Sequence, residues 1–142
     1  MEKVGLIAKV FTDEIRKICE RVELLSDGQF RIGYCYSLEA IEKGGDHPDF
    51  VWAANRGADL PDRLQEVLRN CDLLLPVQSE NEDVSTLPLM TAKGTFVIKN
   101  GVSEQKIAEL KATAEEYGTK IGSGEISDNN IAEQIVKFYR GE

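Results

Sequence analysis

With 142 residues, 42% of them apolar and 30% charged, the chain is long enough to bury a core without disulfides or structural metals, and too apolar to be disordered. Its 17 basic and 25 acidic residues leave a net charge of −8, which argues against the basic face of a nucleic-acid reader and against attraction to anionic membranes. No apolar run approaches the roughly 20 residues of a membrane span. Val4 to Ala8 is cut short by Lys9 and Asp13, unlike a signal peptide. These features predict a cytoplasmic protein built as one domain over residues 1–142, with neither nucleic acid nor membrane among its partners.

Val4 to Val10 reads as a first strand, and Thr12 as the N-cap of a helix with Ile15, Ile18, Cys19, Val22 and Leu25 inward. Asp27-Gly28 ends that helix, and Phe30 to Tyr36 is a second strand. Ser37 caps a short helix carrying Leu38 and Ile41, and Gly44 to Pro48 is a loop by composition. Phe50 to Ala54 reads as a third strand. Asp59 and Pro61 open a helix striped with Leu60, Leu64, Val67, Leu68 and Cys71. Leu73 to Val77 is a fourth strand, Val84 to Ala92 a helix interrupted by Pro88, and Thr95 to Ile98 a fifth strand. Ser103 caps a helix with Ile107, Leu110, Ala114 and Tyr117 inward, closed by Gly118. Lys120 to Ile126 is a sixth strand. Ser127 or Asp128 caps a last helix with Ile131, Ile135 and Phe138 on one face.

Strands with little polar alternation, separated by amphipathic helices, predict an α/β fold. It is a three-layer, Rossmann-like or flavodoxin-like arrangement, with a mostly parallel sheet of five to six strands and helices on both faces.

The chain carries none of the common nucleotide-binding or nucleophile motifs. No GxGxxG follows the first strand, no GxxxxGK[ST] occurs, and no GxSxG elbow occurs. The single histidine, His47, builds neither a Ser-His-Asp triad nor a multi-histidine metal site. Cys19, Cys35 and Cys71 form no CxxC pair and read as small buried hydrophobes. Glu80, Glu82 and Asp83 read as an exposed acidic turn rather than a cation site. The chain therefore calls for no metal and no cofactor.

A parallel sheet brings its strand ends to one edge, where ligands of open α/β folds bind. That edge collects Lys9, Thr12, Ser37, Asn55, Arg56, Gln78, Ser79, Glu80, Lys99, Asn100, Ser123 and Glu125. Helix starts after Ser79, Asn100 and Ser127 add free N–H groups. Such a set suits a polar small molecule with hydroxyls and a phosphate. Arg56 and Lys99 are the phosphate candidates, Glu80 accepts hydroxyls, and Ser79, Asn100 and Ser103 donate near the helix starts. Glu80 is also the one candidate acid/base.

The stretch from Phe50 to Ile98 resembles the C-terminal, donor-binding half of GT-B-fold glycosyltransferases. The residues that carry the resemblance are Arg56-Gly57, Leu60-Pro61, Asp72, Pro76, Glu80, Ala92-Lys-Gly94 and Phe96-Val-Ile98. It implies a nucleotide or nucleotide-sugar ligand. Where that family carries a second, ribose-binding carboxylate, this chain has Pro88-Leu89. The chain also resembles response-regulator receiver domains. Ser37 to Ile41 and Pro48 to Val51 match their second helix and third strand, Ser79 and Lys99 stand for the switch hydroxyl and lysine, and Asp13 and Glu14 for the acidic pair. Ala54-Asn55 replaces the phosphoacceptor, so this second resemblance implies a pseudo-receiver that acts by binding a protein partner or a second copy of itself.

Overall fold

The structure, a computed structural model, describes residues 1–142. Five strands, β1 (Glu2–Ala8), β2 (Phe30–Ser37), β3 (Leu73–Gln78), β4 (Gly94–Lys99) and β5 (Lys120–Glu125), form one sheet in the order β2-β1-β3-β4-β5, and every pairing is parallel. Seven helices connect them: α1 (Asp13–Leu25), α2 (Leu38–Lys43), α3 (Pro48–Asn55), α4 (Leu64–Asn70), α5 (Thr86–Thr91), α6 (Glu104–Tyr117) and α7 (Ile131–Arg140). This is the three-layer α/β arrangement that the alternating pattern predicts.

Alternation along each strand assigns the two faces. Val4, Leu6, Leu75, Val77, Phe96 and Ile98 point toward α1 and α7, into the largest core cluster. Ile7 and Leu74 point the other way, under α4, and Val97 packs with Leu89, Ile107 and Leu110 of α5 and α6. No helix is long and apolar enough to cross a membrane.

The N-caps read from sequence hold at three helices. Thr12, Ser37 and Ser103 accept from the backbone N–H of Ile15, Ala40 and Lys106. Gly118 closes α6 at φ 68°, the left-handed conformation that favours glycine. Pro88 sits in the first turn of α5, where its missing N–H has no intrahelical partner to lose. Pro76 lies inside the central strand β3. Pairing with β4 is present at Leu73, Leu74, Val77 and Gln78 but not between them, so the ladder opens where the proline cannot donate.

Other expectations are corrected. Phe50 to Ala54 is not a third strand but the body of α3. Pro48 takes the first turn, the His47 ring accepts from Asp49 N, and Trp52 and Ala53 turn inward beside buried Asp49. The place beside β2 that a third strand would fill in a 3-2-1-4-5-6 sheet is held by a single-residue parallel bridge. Asp59 N donates to Gly33 O at 2.9 Å, and Cys35 N donates to Asp59 O at 3.1 Å. The helix expected from Asp59 starts at Leu64, with no side-chain cap. The last helix starts after Asn130, not Ser127 or Asp128, and has no side-chain cap. Tyr117 is exposed rather than inward.

Candidate functional site

The strand ends converge on one edge, and two of the depressions along it take side chains from them. The first lies between the ends of β1 and β3, where the strand order reverses. Ala8, Lys9, Thr12, Ser79, Glu82 and Asn100 line it, and its volume is about 100 Å3. Ligand pockets run to roughly 300–1,000 Å3, so this crevice is too small for a nucleotide. Lys9 Nζ lies 3.9 Å from Glu82 Oε1 across it. Gln78, fully buried, fixes the acidic turn behind it. Its amide nitrogen donates to the carbonyls of Ser79 and Glu82, and its oxygen accepts from Val84 N at 3.3 Å.

The second depression lies at the ends of β4 and β5 against α6, with a volume of about 410 Å3. Lys99, Ser123 and Glu125 come from the strand ends, Glu104 and Lys111 from α6, and Val102, Ile107 and Ala108 supply apolar surface. Lys99 Nζ lies 3.8 Å from Glu125 Oε1, and both side chains keep some exposure. A ligand there meets two cations, two carboxylates and a hydroxyl above an apolar floor.

The predicted residues thus separate. Ser79 and Asn100 line the small crevice and Lys99 the larger cleft. Glu80 and Ser103 meet each other: Glu80 Oε2 accepts from Ser103 N at 2.7 Å, and Oε1 accepts from Ser103 Oγ at 3.0 Å. These contacts hold the Glu80 carboxyl below its ordinary range, with the Ser103 backbone N–H the largest cause. A carboxylate stabilised in its charged form and already holding two donors is poorly set to shuttle a proton.

Arg56 is elsewhere. It caps the end of α3, pairs with Glu23 of α1 and stacks on Trp52, with its guanidinium carbon 5.0 Å from the ring centroid. The strand that was to carry it to the edge is a helix. The expected N–H groups also change. The helix after Ser79 starts only at Thr86, Ser103 N and Lys106 N are already bonded at the start of α6, and the last helix starts at Ile131. The three turn carboxylates diverge: Glu80 to Ser103, Glu82 to Lys9 and Asp83 to Thr86. No group of three His, Cys, Asp or Glu is placed to hold a metal ion.

Lys111 and Glu104 lie on α6 rather than at a strand end, so the strand-end rule does not reach them. Their signal was spacing, since Glu104, Ala108 and Lys111 recur at i, i+4 and i+7 on one face of α6.

An all-parallel sheet with helices on both faces and polar side chains at its carboxyl edge defines a Rossmann-like α/β fold. The chain matches no family model and no curated protein. Among solved structures it resembles Staphylococcus aureus homoserine dehydrogenase at pH 6.0, with a TM-score of 0.60 and 14% identity over 88% of this chain and 34% of that one. It also resembles the probable oxidoreductase yhhX, with a TM-score of 0.63 and 15% identity over 87% of this chain and 35% of that one. The chain spans about a third of the length of the solved structures it matches. At these identities the likeness is one of fold.

Proposed function

We propose that this chain is a nucleotide-binding module whose ligand lies in the cleft at the ends of β4 and β5. The observation that carries the reading is the cleft's size and lining: about 410 Å3 at the edge where α/β folds bind ligands. Lys99 and Lys111 meet phosphate, Ser123 and Glu125 meet hydroxyls, and Val102, Ile107 and Ala108 support a ring. A nucleotide sugar is the member of this class that the glycosyltransferase-like pattern suggests. The part that pattern gives to Glu80 passes to Glu125, because Glu80 is already bound to Ser103. No side chain at this edge is poised as a nucleophile or base, so the reading is binding rather than turnover.

A thermal-shift series with nucleotides, nucleotide sugars and nicotinamide dinucleotides tests it. Free ligand at 100 times its dissociation constant stabilises by about 2.7 kcal/mol. The expected result is a shift that Lys99→Met and Lys111→Met each weaken. Absence of any shift with every member of the panel overturns the reading. It would favour the second one, a non-catalytic partner-binding module of pseudo-receiver type, which the small volume of the crevice between β1 and β3 supports.

A further inference from the structure

The turn between β1 and α1 is where doubly wound folds seat the phosphates of a nucleotide, on backbone N–H groups that a glycine-rich loop exposes. Here the turn has no glycine and it is not empty. Asp49, carried by α3 and only 3% exposed, reaches into it. Its Oδ2 accepts from Phe11 N at 3.3 Å and lies 3.0 Å from Ser37 Oγ at the end of β2. Its Oδ1 accepts from Arg16 Nη2 at 2.9 Å, from the first turns of α1. The Ser37 hydroxyl also lies 3.1 Å from Lys9 O, so its single proton is shared between a carbonyl and the carboxylate. One backbone N–H, one guanidinium and one hydroxyl converging on a buried anion are the donor set that proteins use for phosphate.

The helix that delivers this carboxylate is held from both sides. The His47 ring accepts from Asp49 N at 3.2 Å. The guanidinium groups of Arg16 and Arg56 both lie over the ring of Trp52, one turn further on, at 5.5 and 5.0 Å from its centroid. Arg16 therefore serves the anion through one nitrogen and the helix that brings it through its face.

We propose that the β1–α1 turn is a phosphate-type anion seat filled in cis by Asp49, so that docked α3 and an external phosphate group exclude each other. This goes beyond the nucleotide reading and is independent of it, since the β4–β5 cleft shares no residue with the seat. It accounts for a Rossmann-like fold without a glycine loop: the resident carboxylate needs only one N–H of the turn, not the close backbone approach of a pyrophosphate.

The test uses inorganic phosphate as the probe on the whole chain, as wild type, Asp49→Asn, Asp49→Ala and Asp49→Ser. Phosphate stabilises folded proteins generally by exclusion from their surface. The shift shared with wild type and Asp49→Asn is therefore subtracted. The Ala and Ser variants vacate the seat. They are expected to bind phosphate saturably and at least about tenfold more tightly than wild type, the change that one charge-assisted contact brings. The Phe11 amide cross-peak should move only in those two variants. Should either variant be unfolded without phosphate, saturable refolding by phosphate is the expected result. Equal responses in all four proteins, or Ala and Ser variants that stay unfolded in phosphate, overturn the proposal. Lys99→Met added to Asp49→Ala leaves the seat's response unchanged, which keeps a failure here apart from a failure at the β4–β5 cleft.

Discussion

The three thiols sit where they cannot ionise readily. Burial pushes Cys19 up to about 12 and Cys71 up to about 11, and it raises Cys35 well above its usual value. The thiolate is the reactive form, so at pH 8 the native protein is expected to resist iodoacetamide at all three positions and to react fully once unfolded in urea. Intact mass before and after unfolding reads this directly, and alkylation of the native protein would contradict it. The wide spacing and apolar neighbours of these cysteines made their burial legible in the sequence. The glycine requirement of β5 was not legible, because it is set by residues distant in the chain. A Cβ on Gly122 would stand 2.7 Å from Phe138 Cδ2 and 3.0 Å from Phe96 Cδ2, against two rings already packed edge to face. Gly122→Ala is expected to cost about 1–3 kcal/mol by overpacking. The urea midpoint should fall without a change in slope.

At the scale of elements, caps were readable and helix α3 was not. Thr12, Ser37 and Ser103 are local signals, since an N-cap acts within its own turn. Phe50-Val-Trp carries β-favouring side chains, which mask the local start signals of Pro48 at the first helical position and Asp49 in the first turn. Tertiary contacts then hold it as a helix: Asp49 and Ala53 are buried, and the guanidinium groups of Arg16 and Arg56 lie over the Trp52 ring. The misassigned strand carried Arg56 with it to the wrong end of the sheet. Ser103 shows how far one cap extends, because it ties Glu80 to the start of α6. Ser103→Ala is expected to cost about 1 kcal/mol for the lost cap. It removes one of the two donors on Glu80, so the Glu80 carboxyl should titrate closer to its ordinary range by NMR. The sign follows from the direction of the shift. Because Glu80 is lowered in the folded state, its contribution is present above the ordinary glutamate range and fades as pH falls through the folded value. The protection factors of the amides in the first turn of α6, corrected for intrinsic exchange, should therefore fall on acidification in wild type, and less so in Ser103→Ala.

For the whole molecule, the order of strand and helix was enough to predict layers and a parallel sheet, because βαβ crossovers leave few alternatives. The site was legible only as an edge. Which strand ends share a cleft depends on strand order and on how α6 leans over β5, and neither is written locally. The same long-range logic makes the final helix indispensable. Ile131, Ile135 and Val136 of α7 are buried against the main core, Phe138 packs on Phe96, and Tyr139 Oη donates to Leu74 O at 2.6 Å. Arg21–Glu133 at 2.9 Å and Arg140–Gln29 at 2.9 Å tie its two ends to α1 and to the turn after it, but exposed pairs of this kind add little. Burying a Val or Ile side chain fully is worth about 1.5–3 kcal/mol. The three aliphatic residues alone therefore match the lower part of a domain's total stability of about 5–15 kcal/mol. A chain ending at Asn130 is expected to lose its cooperative thermal transition and to bind a hydrophobic dye at 25 °C. Tyr139→Phe, which removes only the buried hydroxyl's bond, should stay folded and lose about 1 kcal/mol. A truncated chain that melts cooperatively near the wild-type temperature would mean that α1 and the sheet hold the fold without α7.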